Sequence, residues 1–120
     1  MSKHQPTDIQ LHRTSRMLDI HFADGQQLKL PREYLRVFSP SAEVRGHGLP
    51  EPLLVVGKEQ VTIDAIEPVG QYAIKLVFSD GHDSGLYDWD FLYALGEDYA
   101  KNWARYLERL AASGLSRKYV

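Results

Sequence analysis

The stretch LDIHFADGQQLKL, residues 18–30, decides the first half of the fold. Apolar Leu18, Ile20 and Phe22 alternate with polar residues, and the alternation resumes after Asp24-Gly25. Such a pattern on both sides of an Asp-Gly pair is typical of a β-hairpin, because glycine adopts positive φ without steric cost and aspartate tolerates it. The sequence therefore predicts an antiparallel hairpin at this place.

A second stretch, IKLVFSDGHDSGL at residues 74–86, repeats the pattern. Phe78-x-Asp80-Gly81 matches Phe22-x-Asp24-Gly25, so each half of the chain reads as a hairpin followed by a helix. Either an ancient duplication or convergence on a common hairpin pattern would explain the match. The alignment pairs Leu18, Ile20, Leu30 and Leu35 with Ile74, Leu76, Leu86 and Phe91.

Helices are predicted after both hairpins. A helical turn follows Pro31, and Asp88 is placed to cap a helix that begins near Trp89. A final amphipathic helix stops near Gly114, and the helical spacing of its aromatic residues favours a buried seam over a stacking platform for nucleic acid. Its apolar face carries Tyr99, Trp103, Tyr106, Leu107 and Leu110, opposite Lys101, Arg105, Glu108 and Arg109.

Two further strands complete the predicted fold. One lies near residues 9–12 after a polar lead-in, and the other covers residues 61–65 before a turn at Glu67 to Gly70. The fold class is therefore α+β, a small domain of antiparallel β-hairpins with short helices and an amphipathic C-terminal helix. We expect one domain over residues 1–120, with 1–8 and 115–120 flexible.

Composition narrows the function classes. Fourteen basic against sixteen acidic residues give a net charge of -2, which makes nucleic acid an unlikely partner. The chain has no cysteine, so it offers no thiolate metal site and no cysteine nucleophile. No stretch approaches the roughly 20 apolar residues that span a bilayer, and we expect a cytoplasmic protein without membrane contact.

The segment from Phe38 to Lys58 is long and irregular, and long connections are more often functional than ornamental. Ser39 is placed to cap a short helix over residues 41–45 that Gly46 closes. Arg36, Arg45 and His47 lie near glycines in this region. They form a candidate site for a phosphate or carboxylate, although a surface arginine is more often solvated or salt-bridged.

Five blocks of sequence carry a family resemblance: Asp24-Gly25, Leu35-Arg36, SPSAEVRGHG at 39–48, IEPVG at 66–70, and residues 78–89. Through them the chain resembles the DUF971 family, the gamma-butyrobetaine hydroxylase-like N-terminal domain, from about residue 9 to residue 110. In the hydroxylases the similar module precedes a separate Fe(II)/2-oxoglutarate catalytic domain. We expect no counterpart of that domain within residues 1–120.

The resemblance also implies a zinc site, made by three cysteines and one histidine. Carried over by position, the cysteines correspond to Ser39, Ser41 and Val44, and the histidine corresponds to His82. Because a serine hydroxyl is a poor zinc ligand, we expect no zinc and no other cofactor. The alternative is a mixed nitrogen and oxygen set that adds Glu43 or His47 to His82 and holds zinc or iron weakly.

The leading hypothesis is a non-enzymatic binding or accessory module with an unidentified protein partner, in which residues 39–48 and the His82 turn form one face. Similar domains are appended to P-loop iron–sulfur carriers in plastids, so the resemblance also allows an accessory role in iron–sulfur or metal handling. The third alternative is an oxygenase component or hydrolase that acts only with a partner. It requires Ser39, His47 and His82 to converge on a pocket.

Two surface properties leave further alternatives open. The stretch from Ser79 to Asp98 has six acidic residues and no basic one, which suits either local turns and helix caps or an acidic docking surface. Homo-oligomerisation is also possible, because Tyr87, Trp89 and the aromatic helix face exceed what a small core is expected to bury.

Overall fold

The computed structural model describes residues 5–40 and 54–115. The helix predicted over residues 41–45, together with its closing Gly46, lies outside the described residues.

The first half of the chain forms a three-stranded antiparallel sheet. Its strands are β1 (Pro6–His12), β2 (Met17–Phe22) and β3 (Gln27–Pro31), in the order β1-β2-β3. Leu18 pairs with Leu11 on one side and with Leu30 on the other, so the apolar residues share one face. The first hairpin is confirmed. Because β1 begins at Pro6, part of the lead-in that we expected to be flexible is strand.

The second half forms a sheet of the same order. Its strands are β4 (Ile63–Val69), β5 (Ala73–Phe78) and β6 (Leu86–Asp88). The turn predicted at residues 67–70 is misplaced, because the strand continues through Val69 and the chain reverses at residues 70–72. Pro68 is accommodated because β4 is an edge strand, where a missing N–H breaks no ladder.

Three helices pack against the sheets: α1 (Arg32–Val37), α2 (Trp89–Glu97) and α3 (Tyr99–Ala112). The predicted cap is confirmed, since the Asp88 side chain accepts a 2.7 Å hydrogen bond from the N–H of Phe91. The predicted apolar face of α3 is wrong at Leu107, which is 43% exposed. The helix faces the core through Tyr106 and Leu110. Leu107 is one position after Tyr106, so the helix rotates its side chain away from the core and toward the outside.

The two sheets and α2 share one hydrophobic core, and α1 contributes Tyr34 and Leu35 to it. Tyr34 connects the helices, because its hydroxyl donates to the carbonyl of Leu95 at 2.7 Å and accepts from Asn102 at 3.0 Å. Tyr87 and Trp89 are buried within this single chain. Their size is therefore no reason to expect an oligomer.

Among the described residues, no helix combines the length and apolar character needed to cross a bilayer.

We expect Leu76→Ala to lower the free energy of unfolding by about 2–5 kcal/mol, because Leu76 is fully buried between the sheets. Leu86→Ala is the matched control. Leu86 is 47% exposed, and its truncation should cost less than about 1 kcal/mol. Urea denaturation followed by circular dichroism measures both values, and equal losses would contradict the assignment of inward and outward faces.

Candidate functional site

The two hairpins turn in the same way, which gives the repeat a structural basis. In the first, the N–H of Phe22 donates to Gln26 and the N–H of Gly25 donates back to Phe22. Phe78, His82 and Gly81 make the corresponding bonds in the second. Both glycines have positive φ, 92° and 89°, a conformation that disfavours a side chain. His82 is thus the structural counterpart of Gln26.

After the turn, the second hairpin contains one residue more than the first. Leu30 pairs with Leu18 and lies twelve positions after it, whereas Tyr87 pairs with Ile74 and lies thirteen positions after it. Tyr87, and not Leu86 as the sequence alignment has it, is therefore the counterpart of Leu30. The extra residue falls in the irregular stretch between His82 and Leu86.

This irregular stretch brings His82 against the end of the segment that follows α1. The Oγ atom of Ser39 lies 2.8 Å from Nε2 of His82, and the two residues are 1% and 7% exposed. Gly85 is needed beside them, because a Cβ atom there would lie 2.5 Å from the serine oxygen. The structure therefore joins Ser39 and His82 through a buried hydrogen bond.

A second connection converges on Asp80 in the same turn. Its Oδ2 atom accepts from Nε of Arg36 at 2.9 Å and from Nζ of Lys58 at 2.7 Å. Its Oδ1 atom accepts from the N–H of His82 at 3.2 Å, which also fixes the turn. Asp24 makes the matching turn bond to Gln26 at 2.9 Å.

The electrostatics of Asp80 reflect these donors. Burial alone would raise the pKa of this carboxyl group. The hydrogen bonds from Lys58, from the N–H of His82 and from Arg36 outweigh burial and lower the pKa to about 2. Asp80 is therefore ionised throughout the physiological pH range.

Arg36 is held in place rather than presented to solvent. Its guanidinium lies 6.0 Å from the centre of the Phe78 ring and is paired with Asp80. Its Nη1 atom is buried and has no hydrogen-bond partner among the described residues. The carboxylate of Asp80 already neutralises Arg36, which weakens its candidacy as an anion-binding residue.

The structure thus brings together some of the residues singled out from the sequence. Ser39 and His82 are in contact, and Arg36 reaches the same turn through Asp80. Ser41, Glu43, Arg45 and His47 lie outside the described residues, so their part in a site stays a prediction.

Sequence reasoning missed two of the residues that interact at the second turn, Asp80 and Lys58. Asp80 was predicted only as a turn residue and as one of six acidic residues between Ser79 and Asp98, and Lys58 only as the end of the irregular segment. No local pattern could have revealed them, because their partners are distant in sequence.

A metal at Nε2 of His82 would have to displace the hydroxyl of Ser39, since that hydroxyl is hydrogen-bonded to this atom. Within residues 5–40 and 54–115, no three His, Cys, Asp or Glu side chains are grouped to hold a metal ion. Ser39 is only 1% exposed, so no substrate can reach its hydroxyl in this conformation. The pair connects two segments of the chain.

Comparison with known proteins agrees with the resemblance found in the sequence. The family model described as gamma-butyrobetaine hydroxylase-like, N-terminal, matches residues 9–93. No curated protein matches the chain.

Several solved structures are similar to this one, and three of them are described here. Two were determined by NMR in solution. The first is 50% identical in sequence and has a TM-score of 0.84, and the alignment covers 99% of this chain and 95% of the other chain. The second is 49% identical, with coverages of 98% and 92% and a TM-score of 0.82. The third is the crystal structure of a DUF971 protein of unknown function from Acidithiobacillus ferrooxidans. It is 38% identical, with coverages of 77% and 92% and a TM-score of 0.65.

We expect Asp80→Asn to lower the free energy of unfolding by about 2 kcal/mol near neutral pH. The pKa of Asp80 is lowered on folding, from 3.8 to about 2, so its contribution is present above pH 4 and is lost as the pH falls through 2. The difference between wild type and variant should therefore shrink below pH 4. Urea denaturation at a series of pH values measures it.

Asp24→Asn is the control for the Asp80 variant. Asp24 makes the same turn bond, and no ion pair to it is found among the described residues. Its replacement should cost less than about 1 kcal/mol. Equal losses from the two variants would show that the turn bond, and not the ion pairs, accounts for the effect.

We also expect protein purified without an affinity tag to contain no stoichiometric zinc by elemental analysis, because Ser39 occupies Nε2 of His82. The triple variant S39C/S41C/V44C should bind about one zinc per chain, since three thiolates and His82 complete a Cys₃His set. Stoichiometric zinc in the wild type would contradict the first expectation. A metal-free triple variant would show that the family motif does not map onto these positions.

Proposed function

This chain belongs to the gamma-butyrobetaine hydroxylase-like N-terminal (DUF971) family, and on that premise we propose that it is a non-enzymatic module that binds a protein partner. Its binding face is the surface of the second turn, residues 79–82, together with the described ends of the connecting segment 40–57, at residue 40 and residues 54–57. The observation that carries the proposal is that this turn holds both ends of that segment.

The entry to the connecting segment is fixed by two bonds. Ser39, the residue before the segment, is hydrogen-bonded to His82. Arg36, at the end of α1, is paired with Asp80. These side chains are nearly buried, so the chain enters the segment from a defined position and direction.

The exit from the segment is fixed by the same turn and by α3. Lys58, the residue after the segment, donates to Asp80 at 2.7 Å. The hydroxyl of Tyr106 donates to the carbonyl of Val55 at 2.7 Å, and Leu54 packs with Tyr106 and Leu110. The two ends of the segment are therefore held beside the same turn.

The exposed surface beside these anchors suits a protein partner. Val56 is 42% exposed next to the buried anchors, and Asp83 is exposed beyond the turn. An exposed apolar side chain and an exposed carboxylate are the kinds of group found at the centre and at the rim of an interface. Buried Ser39 and His82 position this surface and do not contact the partner themselves.

The test is affinity capture from the native host with wild type and with Val56→Glu. We expect a reproducible partner of the wild-type protein to be lost with the variant, because a buried, unpaired carboxylate disfavours an interface. Binding of the identified partner is then measured with purified proteins, and the variant should weaken it at least about tenfold.

Leu107→Glu is the control for this experiment. Leu107 is 43% exposed, almost the same as Val56, but it lies on the outer side of α3. Circular dichroism establishes that both variants are folded. If Val56→Glu binds the partner as well as the wild type does, or if both variants fail equally, the binding face does not lie at the connecting segment.

A further inference from the structure

The outer side of β1 is the free edge of the first sheet. Among the described residues, β2 is the only strand that pairs with β1, so the backbone N–H and C=O groups on the other side of β1 have no strand partner there. From Asp8 to His12 the pairing with β2 is regular, and the one register shift lies before this stretch. These five residues therefore form a regular template for a further strand.

The other edges of the two sheets are covered, short or irregular. β3 contacts both α1 and α2. β6 has only three residues and continues directly into α2. β4 contains Pro68 and a register shift between Ile63 and Ala65, and both features protect an edge strand from further pairing. Of the described edges, β1 is thus the one best suited to accept another strand.

The core-facing side chains of β1 leave apolar surface at this edge. Ile9 and Leu11 pack against the hydrophobic core, but both are only half-buried. A strand added beside β1 covers more of these two side chains, because side chains on one face of neighbouring strands lie in contact.

The other face of β1 is polar and remains in solvent. Asp8, Gln10 and His12 are exposed there. Gln10 donates to Asp8 at 2.8 Å, and Nε2 of His12 lies 2.8 Å from Oδ2 of Asp19. An added strand with the same alternation would keep its own polar residues on this face.

We propose that the strand added to β1 is β1 of a second copy of this chain, paired antiparallel about a two-fold axis at Gln10. The two three-stranded sheets then form one six-stranded sheet. Ile9 lies opposite Leu11 of the second copy on the core face. Asp8 lies opposite His12 of the second copy on the solvent face, so no like charges meet. The two Gln10 side chains face each other, and an amide both donates and accepts.

This register is self-complementary, which favours a second copy over an unrelated strand. An axis at Ile9 would place Leu11 opposite Thr7, and an axis at Leu11 would place Ile9 opposite Arg13. A shift by a single residue would join the core face of one copy to the solvent face of the other. Of these registers, only the axis at Gln10 pairs apolar residues with apolar residues.

The first test measures self-association of the purified protein by sedimentation equilibrium. Two five-residue strands make a small contact, so we expect a dissociation constant between about 10 μM and 1 mM. Gln10→Lys should weaken association at least about tenfold, because it places two ammonium groups opposite each other at the axis. Gln27→Lys is the matched control. Gln27 is an exposed glutamine on β3, at the other edge of the same sheet, and its variant should associate like the wild type.

The second test uses the absence of cysteine from the chain. Gln10→Cys places two thiols across the axis, where opposed Cβ atoms lie about 5 Å apart and a disulfide needs little adjustment. Asp8→Cys lies on the same strand and face, but its two copies are roughly 14 Å apart along the paired strands. Under mild oxidation, Gln10→Cys should therefore form a covalent dimer at least about tenfold faster than Asp8→Cys.

Three results would each overturn the proposal: a wild type that stays monomeric at about 1 mM, equal association of wild type and Gln10→Lys, or equal crosslinking of the two cysteine variants. If the protein were monomeric and Gln10→Lys released a captured partner, the edge would belong to a strand of that partner, which also overturns the proposal. These measurements involve neither Val56 nor the second turn, so the dimer stands or falls apart from the proposed partner-binding face.

Discussion

The carboxylate of Asp80 is the point on which the second half of the structure depends. It accepts from Arg36 at the end of α1, from Lys58 ahead of β4 and from the N–H of His82 within its own turn. An isolated surface ion pair contributes little to stability, but here Arg36 is nearly buried and two cations share one acceptor. The three bonds fix parts of the chain that are far apart in sequence.

The two halves of the molecule differ where this network begins. Both hairpins have the same turn bonds, yet only the second carries an extra residue after the turn. In the first half Gln26 remains exposed, while in the second half His82 is buried against Ser39. The second hairpin therefore connects to the rest of the chain through features that the first lacks: one additional residue and a glycine that leaves room for the serine side chain.

Local chemistry explains which parts of the fold the sequence could predict. Both Asp-Gly turns and the Asp88 cap depend on neighbouring residues, and they were predicted correctly. The turn assigned to residues 67–70 was misplaced because a Pro and a Gly close together resemble a turn, whereas an edge strand tolerates proline. The prediction that Leu107 lies on the buried face was wrong, because helical spacing alone does not give the width of that face.

The contacts of the candidate site also fall into those that the sequence could predict and those that it could not. Family resemblance placed Ser39 and His82 at corresponding positions of one zinc motif, and the structure brings them into contact. The partners of Asp80 depend on tertiary packing and leave no pattern in a single sequence.

The zinc site that the resemblance implies would place cysteines where this chain has Ser39, Ser41 and Val44, and this difference has an energetic consequence. A structural zinc contributes on the order of 10 kcal/mol to folding, whereas a single hydrogen bond such as that between Ser39 and His82 contributes about 1 kcal/mol. Replacing the implied metal by this bond alone would leave the two segments weakly connected. The ion pairs of Asp80 with Arg36 and Lys58 add to the same connection. Even together, these bonds contribute less than the roughly 10 kcal/mol of a structural zinc.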